Sequence, residues 1–254
     1  MQPVQPIDPP STFAGSDAAQ IQHAQKVLVF ALATLAEQRE ADSESHILRV
    51  QHYVLALTEA LRSNAAYAGY LTPAYVETLH SSVPLYDMGS MGIPDRILLK
   101  PGRLSPEELA IMRSHTTIGH AAIERAEIML GHSSPLLTIA KELVLSHQEK
   151  WDGSGYPQGL AGTAIPVSAR ILALADVYDA LISSKVYKDG VSHGKAVEII
   201  LSERGKHFDP DIVDAFIEKQ DVFQSIARLY ADTEADMQHK IEYMANAIAE
   251  VAVL

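Results

Sequence analysis

The sequence predicts an all-α fold, and three observations carry that prediction. Apolar residues recur at helical spacing in stretch after stretch, no stretch of useful length alternates as a half-buried strand does, and helix-start signatures stand where helices should begin. Taken in order, the helical stretches are residues 17–39, 42–63, 72–82, 105–131, 134–148, 166–184, 192–203 and 209–219. In the first, Ile21, Leu28 and Leu35 stand seven apart, with Ala24 and Ala31 between them. The second sets Asp42 and His46 one turn apart on one face, followed there by Arg49. The third rests on spacing alone, and turn residues then cluster from Gly89 to Gly102. Ser105-Pro106-Glu107-Glu108 opens the fourth with an N-cap serine, proline at the first helical position and early acids. The fifth ends at His147, and a second turn-rich loop runs from Gly153 to Pro166. The sixth carries Asp176 and Asp179 three apart, the seventh again rests on spacing, and Asp209-Pro210-Asp211 opens the eighth. Beyond it Phe223, Tyr230, Met237, Met244 and Val251 repeat every seven, joined by Ile241 and Ile248 and interrupted by Glu234. Each heptad seam has two readings, packing on the chain's own core or pairing with a partner helix.

Bulk properties narrow the function. The 254 residues suffice for a full core, and 47% hydrophobic residues is ordinary for a globular protein. No apolar run approaches the ~20 residues that span a bilayer. Met1 to Asp17, rich in Pro, Gln and Ser, lacks the basic-plus-apolar pattern of a signal peptide and reads as a flexible tail. Zero cysteines exclude disulfides and thiolate metal sites, and suit a reducing cytoplasm. A net charge of −12 disfavours binding to duplex nucleic acid. Between residues 141 and 195, however, six basic residues balance six acidic ones. Such a locally neutral region accepts an anionic ligand once cations are bound, or is simply scatter in a short window.

The chemistry-bearing residues are imidazoles and carboxylates, the donor set of a clustered metal site. They are Asp42 and His46, Asp87 just before the glycine-rich turn, His115 in Ser114-His115-Thr116-Thr117, His147, and the pair Asp176 and Asp179. Singly, each reads as well as a solvated polar face or a core histidine. Their setting is more specific. His147-Gln148-Glu149-Lys150-Trp151-Asp152-Gly153-Ser154-Gly155-Tyr156-Pro157 precedes Ile165-Pro166-Val167-Ser168-Ala169-Arg170-Ile171-Leu172-Ala173-Leu174-Ala175-Asp176-Val177-Tyr178-Asp179-Ala180-Leu181. Upstream lie His46-Ile47 with Gln51-His52-Tyr53, and Gly92-Ile93-Pro94-Asp95-Arg96-Ile97-Leu98 with Lys100-Pro101-Gly102. Gly205-Lys206-His207-Phe208-Asp209-Pro210 follows. In this order and at these separations, from about residue 40 to 220, the chain resembles the HD-GYP family, bacterial metal-dependent phosphodiesterases of cyclic di-GMP signalling.

The resemblance implies an HD-domain helical bundle with the HD-GYP extension over 41–220. Around it stand a tail over 1–17, an N-terminal helix over 18–40 suited to dimerisation, and a C-terminal helix over 221–254. It implies a divalent metal centre, iron or manganese, with metal positions at Asp42, His46, Asp87, His115, His147 and Asp176. Asp87 would bridge, with His46 and Asp176 on one side and His115 and His147 on the other; Asp87 and Asp176 would carry catalysis. Tyr156, Asp179, Lys185 and Lys188 match ligand-contacting positions. The chain also departs from the family. Tyr86-Asp87 stands for His-Asp, His147-Gln148 for His-His, Ser90 for a lysine and Lys185 for an arginine. A tyrosine must lose a proton to bind a metal, and a glutamine carbonyl is a weak donor. The expectation is therefore a degenerate, cytoplasmic HD-GYP protein that binds cyclic di-GMP or a signalling partner with impaired or absent hydrolysis. The alternatives are an active phosphodiesterase with an atypical metal site, or a scaffold whose Gly-Tyr-Pro loop meets diguanylate cyclase domains.

Overall fold

The computed structural model describes residues 15–39, 44–183 and 190–252, and these are helical almost wherever the apolar spacing is. The helices are α1 (Gly15–Arg39), α2 (Glu44–Leu61), α3 (Ala65–Ala68), α4 (Pro73–Ser82), α5 (Asp95–Leu98), α6 (Pro106–Arg113), α7 (His115–Leu130), α8 (Pro135–Ser146), α9 (Val167–Ile182), α10 (His193–Ser202), α11 (Pro210–Leu229) and α12 (Glu234–Ala252). Short 3-10 turns cover Val83–Leu85, Met88–Gly92 and Gly162–Ala164. Among the described residues there is no strand, only isolated bridges at Asp152–Ala161 and Arg204–Phe208. No described helix is long and apolar enough to cross a membrane. Asp42, Lys185 and Lys188 lie outside the described residues, as do residues 1–14 of the expected tail.

The local signals act as the sequence suggests. Ser105 closes a capping box with Glu108, accepting from the Glu108 N–H at 3.2 Å while Glu108 accepts from the Ser105 N–H at 2.7 Å. Asp209 accepts from the Asp211 N–H at 2.9 Å and starts α11. Two boundaries differ. The helix expected over 105–131 breaks at Ser114, where side chains compete for backbone acceptors. The Ser114 hydroxyl donates to the Ile111 carbonyl at 2.6 Å, and His115 Nδ1 donates to the Met112 carbonyl at 2.7 Å. The helix expected to stop at 219 runs on to Leu229, because Phe223 is fully buried and stacks on Tyr53 at 4.5 Å between ring centroids. The chain then turns before α12, so the C-terminal heptad is divided between two helices.

Packing of α2, α9 and α11 makes the main core. Tyr53, Tyr178, Phe216 and Phe223, one or two from each helix, form an edge-and-face cluster with centroids 4.5–5.5 Å apart. A smaller cluster of Leu85, Ile123, Ala140 and Val144 joins the turn after α4 to α7 and α8. Helix α1 buries Ala33 and Ala36, while Ile21, Leu28 and Leu35 remain 48–65% exposed, so its heptad seam faces outward rather than onto the core. Arg39, ending α1, donates to the carbonyls of Ser90, Met91 and Ile93 and pairs with Asp95, which fastens the turn after Asp87.

Candidate metal centre

The centre is assembled where the 86–92 turn meets the start of α7 and the end of α8. Gly89 allows the meeting. A β-carbon at that position would lie 1.9 Å from the His115 carbonyl oxygen and 2.7 Å from the Gly119 nitrogen. Without one, the turn presses on α7 and carries Asp87 to His115, whose Nε2 lies 3.5 Å from Asp87 Oδ1.

The rings of His115 and His147 are both fixed through Nδ1. A carbonyl only accepts, so His115 Nδ1–H donates to Met112 at 2.7 Å and His147 Nδ1–H to Leu143 at 2.9 Å. This assignment follows from the hydrogen-bond network. Burial lowers the pKa of both groups. His147, with His115 beside it as a second cause, falls to about 3. The imidazoles are therefore neutral, and their two Nε2 lone pairs face each other at 3.3 Å. One ligand atom each from Asp87, His115 and His147 lies within 4.8 Å of the others. Three acceptors converging without a proton between them form a donor set that a cation can join. Ligand atoms about 2.1 Å from one metal ion stand about 3.0–3.4 Å apart, and the His115–His147 and His115–Asp87 separations of 3.3 and 3.5 Å lie close to that range.

The other half of the expected centre is arranged differently. Tyr86 is 3% exposed and donates its hydroxyl to Asp176 Oδ1 at 2.8 Å, while its oxygen lies 2.8 Å from His46 Nε2. A phenol has one proton, so donation to Asp176 leaves the oxygen to accept from His46. His46 Nδ1 in turn meets the acceptor-only carboxylate of Asp179 at 2.7 Å. Both ring nitrogens of His46 are thereby donors, leaving no lone pair. Burial first, and then the nearby charges of Asp176, Asp87 and Glu37, push the Tyr86 phenol well above its ordinary range. Tyr86 is thus neutral in this arrangement. Its ring lies between the halves, with its centroid 6.3 Å from that of His46 and 5.2 Å from that of His147.

Asp179 lies behind His46, 1% exposed, and is gripped by Arg49 through Nε at 2.6 Å and Nη2 at 2.9 Å. Burial alone would raise its pKa, but His46 and Arg49 more than offset that and hold it at about 2. Asp179 consequently reaches the centre through the His46 ring. Tyr156 stands on the His115 side, ring centroids 6.2 Å apart, its phenol pushed up to about 12 by burial and then by Asp87. The loop that carries it is braced from within. Glu149, 2% exposed, accepts from the N–H groups of Gln158 at 2.7 Å and Leu160 at 3.0 Å. A β-carbon on Gly155 would lie 2.3 Å from the Lys150 nitrogen, so only glycine permits that closure. Ser90 is 3% exposed, and its hydroxyl has no hydrogen-bond partner among the described residues. Gln148 is half-buried, and its backbone carbonyl accepts from the Tyr156 N–H at 3.2 Å.

Sequence reasoning missed Glu149 and Arg113, whose guanidinium lies 4.9 Å over the Tyr156 ring, and it gave Arg49 no role. For Glu149 a signal existed in its place beside His147-Gln148. No local pattern marks Arg113.

A family model described as HD domain matches residues 30–212. A "Probable cyclic di-GMP phosphodiesterase" of Vibrio cholerae is 48% identical over 220 residues, covering 87% of this chain and 50% of that protein. A "Cyclic di-GMP phosphodiesterase" of the same organism is 52% identical over 206 residues, covering 81% and 42%. A third, from Thermotoga maritima, is 37% identical over 203 residues, covering 80% and 51%. The chain thus spans about half the length of these curated relatives. Among solved structures, the HDG"Y"P protein Bd1817 of Bdellovibrio bacteriovorus superposes with a TM-score of 0.52 at 19% identity, over 82% of this chain and 64% of that one. At such identity the likeness speaks to the fold alone.

Proposed function

This chain belongs to the HD domain family, and from that premise we propose that it binds a cyclic dinucleotide, cyclic di-GMP foremost, at a centre holding one metal ion, with impaired hydrolysis. The relatives named as cyclic di-GMP phosphodiesterases supply the ligand class. The observation that carries the impairment is the Tyr86 hydroxyl, bonded to both His46 and Asp176.

Asp87, His115 and His147 would hold the ion, iron or manganese. When bound, such an ion activates water and neutralises charge on a phosphate. The chain's own groups then bind and orient the nucleotide. Tyr156 presents an aromatic face on the His115 side, Arg113 lends positive charge behind it, and Glu149 keeps the loop closed. Lys185 and Lys188 are proposed as further phosphate contacts and Asp42 as an outer ligand. Against turnover stand three differences. His46 and Asp176 already satisfy each other through a phenol, Gln148 offers a carbonyl in place of an imidazole, and Ser90 brings no charge toward the phosphate.

The rival reading is an active phosphodiesterase in which a second ion displaces the Tyr86 hydroxyl, and the 48–52% identity to the Vibrio relatives favours it. Mn²⁺ titration with a cyclic di-GMP hydrolysis assay separates the two. About one ion per chain, nucleotide binding that weakens with salt and little turnover are expected. Two or three tightly held ions with efficient turnover would establish the rival. Absence of nucleotide binding at low salt with Mn²⁺ present would leave the scaffold.

A further inference from the structure

The turn joining α11 to α12 lies beyond the matched family span, which ends at residue 212, yet it connects to the metal centre through a continuous chain of charged groups, all buried but the partly exposed Asp232. Lys240, on α12 and 3% exposed, donates to Asp232 Oδ2 at 2.8 Å. Asp232 Oδ1 accepts from Arg49 Nη1 at 3.1 Å, and the Tyr230 carbonyl accepts from the same nitrogen at 2.9 Å. The far side of the guanidinium grips both oxygens of Asp179 and donates to the Ser183 hydroxyl at 3.1 Å. Asp179 then takes the Nδ1–H of His46.

An arginine has five N–H donors in a rigid plane, and here each has an acceptor. Two of those acceptors, Asp232 and the Tyr230 carbonyl, belong to the turn after α11. The plane of Arg49 is therefore set from both ends. Rotating it to follow a displaced turn would pull it away from the Asp179 carboxylate.

We propose that Asp232 is a positioning residue for His46, with Lys240 of α12 holding Asp232 in turn. Asp232 fixes Arg49, Arg49 fixes both Asp179 oxygens, and Asp179 aims His46 Nε2 at Tyr86 and Asp176. The described part of α12 is thereby tied to the half of the centre that Tyr86 occupies. The proposal rests on the reading of His46 as part of the metal centre. A cavity of about 510 Å³ lies against the Arg49–Asp232 contact, bordered also by Ser183, His193, Arg228 and Met237, so Asp232→Asn meets no steric obstacle.

The test uses the full chain with ¹⁵N-labelled histidines. In Asp232→Asn the His46 ring signals should move while those of His115 and His147 stay in place. Lys240→Met should move them the same way by less, and Asp232→Glu should restore much of the wild-type pattern. In a Tyr86→His, Ser90→Lys, Gln148→His background, Asp232→Asn should weaken the second Mn²⁺ about tenfold and leave the first unchanged, as outer-shell partners of metal ligands do. Unmoved His46 signals in both Asp232→Asn and Asp232→Ala, with only a lowered melting temperature, would make the turn a structural anchor and overturn the proposal. Equal movement of all three histidines would overturn it as well. If Asp232→Ala fails to fold, Asp232→Asn decides. The His46 signals are read without metal, so a protein that bound no Mn²⁺ would defeat the proposed function and leave this test standing.

Discussion

Around His115 and His147 the inward-facing ring nitrogens are lone-pair acceptors 3.3 Å apart, whereas around His46 the inward-facing nitrogen donates to a phenol that donates onward to Asp176. Both regions use imidazole and carboxylate, both are largely buried, and they share the neighbourhood of Asp87. What separates them is where the protons are. On the first side backbone carbonyls take the Nδ1 protons and leave converging lone pairs that a cation can join. On the second a carboxylate and a hydroxyl take both protons of His46, and the network is complete without a metal. A phenol in place of an imidazole therefore removes one ligand and also occupies the two that remain.

The most disruptive way to probe this contrast is at Asp87. Asp87→Ala should lower Mn²⁺ affinity by at least about 100-fold, more than the 10–100-fold typical of supporting residues around a metal. Electron paramagnetic resonance of free Mn²⁺ reads it directly, and retained affinity would mean that His115 and His147 do not form a site with Asp87.

Restoring the second half should have the next largest effect. Tyr86→His, Ser90→Lys, Gln148→His together should add a second Mn²⁺ and raise cyclic di-GMP turnover at least about tenfold. The single changes should do far less, because ligands of one ion act as a unit. Wild-type turnover equal to that of the triple variant would erase the functional difference between the halves.

Removing only the hydroxyl sharpens the comparison. Tyr86→Phe keeps the ring against His147 but leaves His46 and Asp176 without their shared partner. Leaving buried polar groups unsatisfied costs about 1–3 kcal/mol. Urea denaturation of metal-free protein should show that loss, and added Mn²⁺ should recover more stability in the variant than in wild type. An unchanged midpoint would mean that the phenol holds neither group.

The remaining contrast is in the pH response. His147 has a folded pKa of about 3 against an ordinary 6.5. Between those values the unfolded chain binds a proton that the folded one does not, so stability falls as pH drops from about 6.5. The slope approaches about 1.4 kcal/mol per pH unit for one such group. His115 acts in the same direction. Asp179, shifted from 3.8 to about 2, stabilises above its unfolded value and loses that contribution only as pH falls through about 2. Comparing stability at pH 7 and 5 in wild type and His147→Gln should therefore show a smaller acid loss in the variant. An equal loss would assign the acid sensitivity elsewhere.

Much of this molecule is legible without its structure, because the signals are local. Apolar spacing marks α8 and α9 within a few residues, and the Ser105 and Asp209 caps mark where α6 and α11 begin, since the Ser105 hydroxyl and Asp209 Oδ1 each bond their own first turn. The residue types at His46, Asp87, His115, His147 and Asp176 already spell a metal donor set. The break at Ser114 is less accessible, since a hydroxyl and an imidazole there outcompete the helix for its own carbonyls. The run of α11 to Leu229 depends on Phe223 meeting Tyr53, far away in the chain. Which donors converge, and which are already bonded, belongs wholly to the tertiary structure. Asp87, His115 and His147 meet because Gly89 lets a turn lie against α7, and Tyr86 bridges His46 to Asp176 across three separate elements. Arg49 and Asp232, 183 residues apart, pair only when α2 and α11 pack. Composition and spacing fix what each side chain is able to donate or accept. Packing alone decides the partner, because a proton or lone pair is committed by distances of about 3 Å that residue order does not encode.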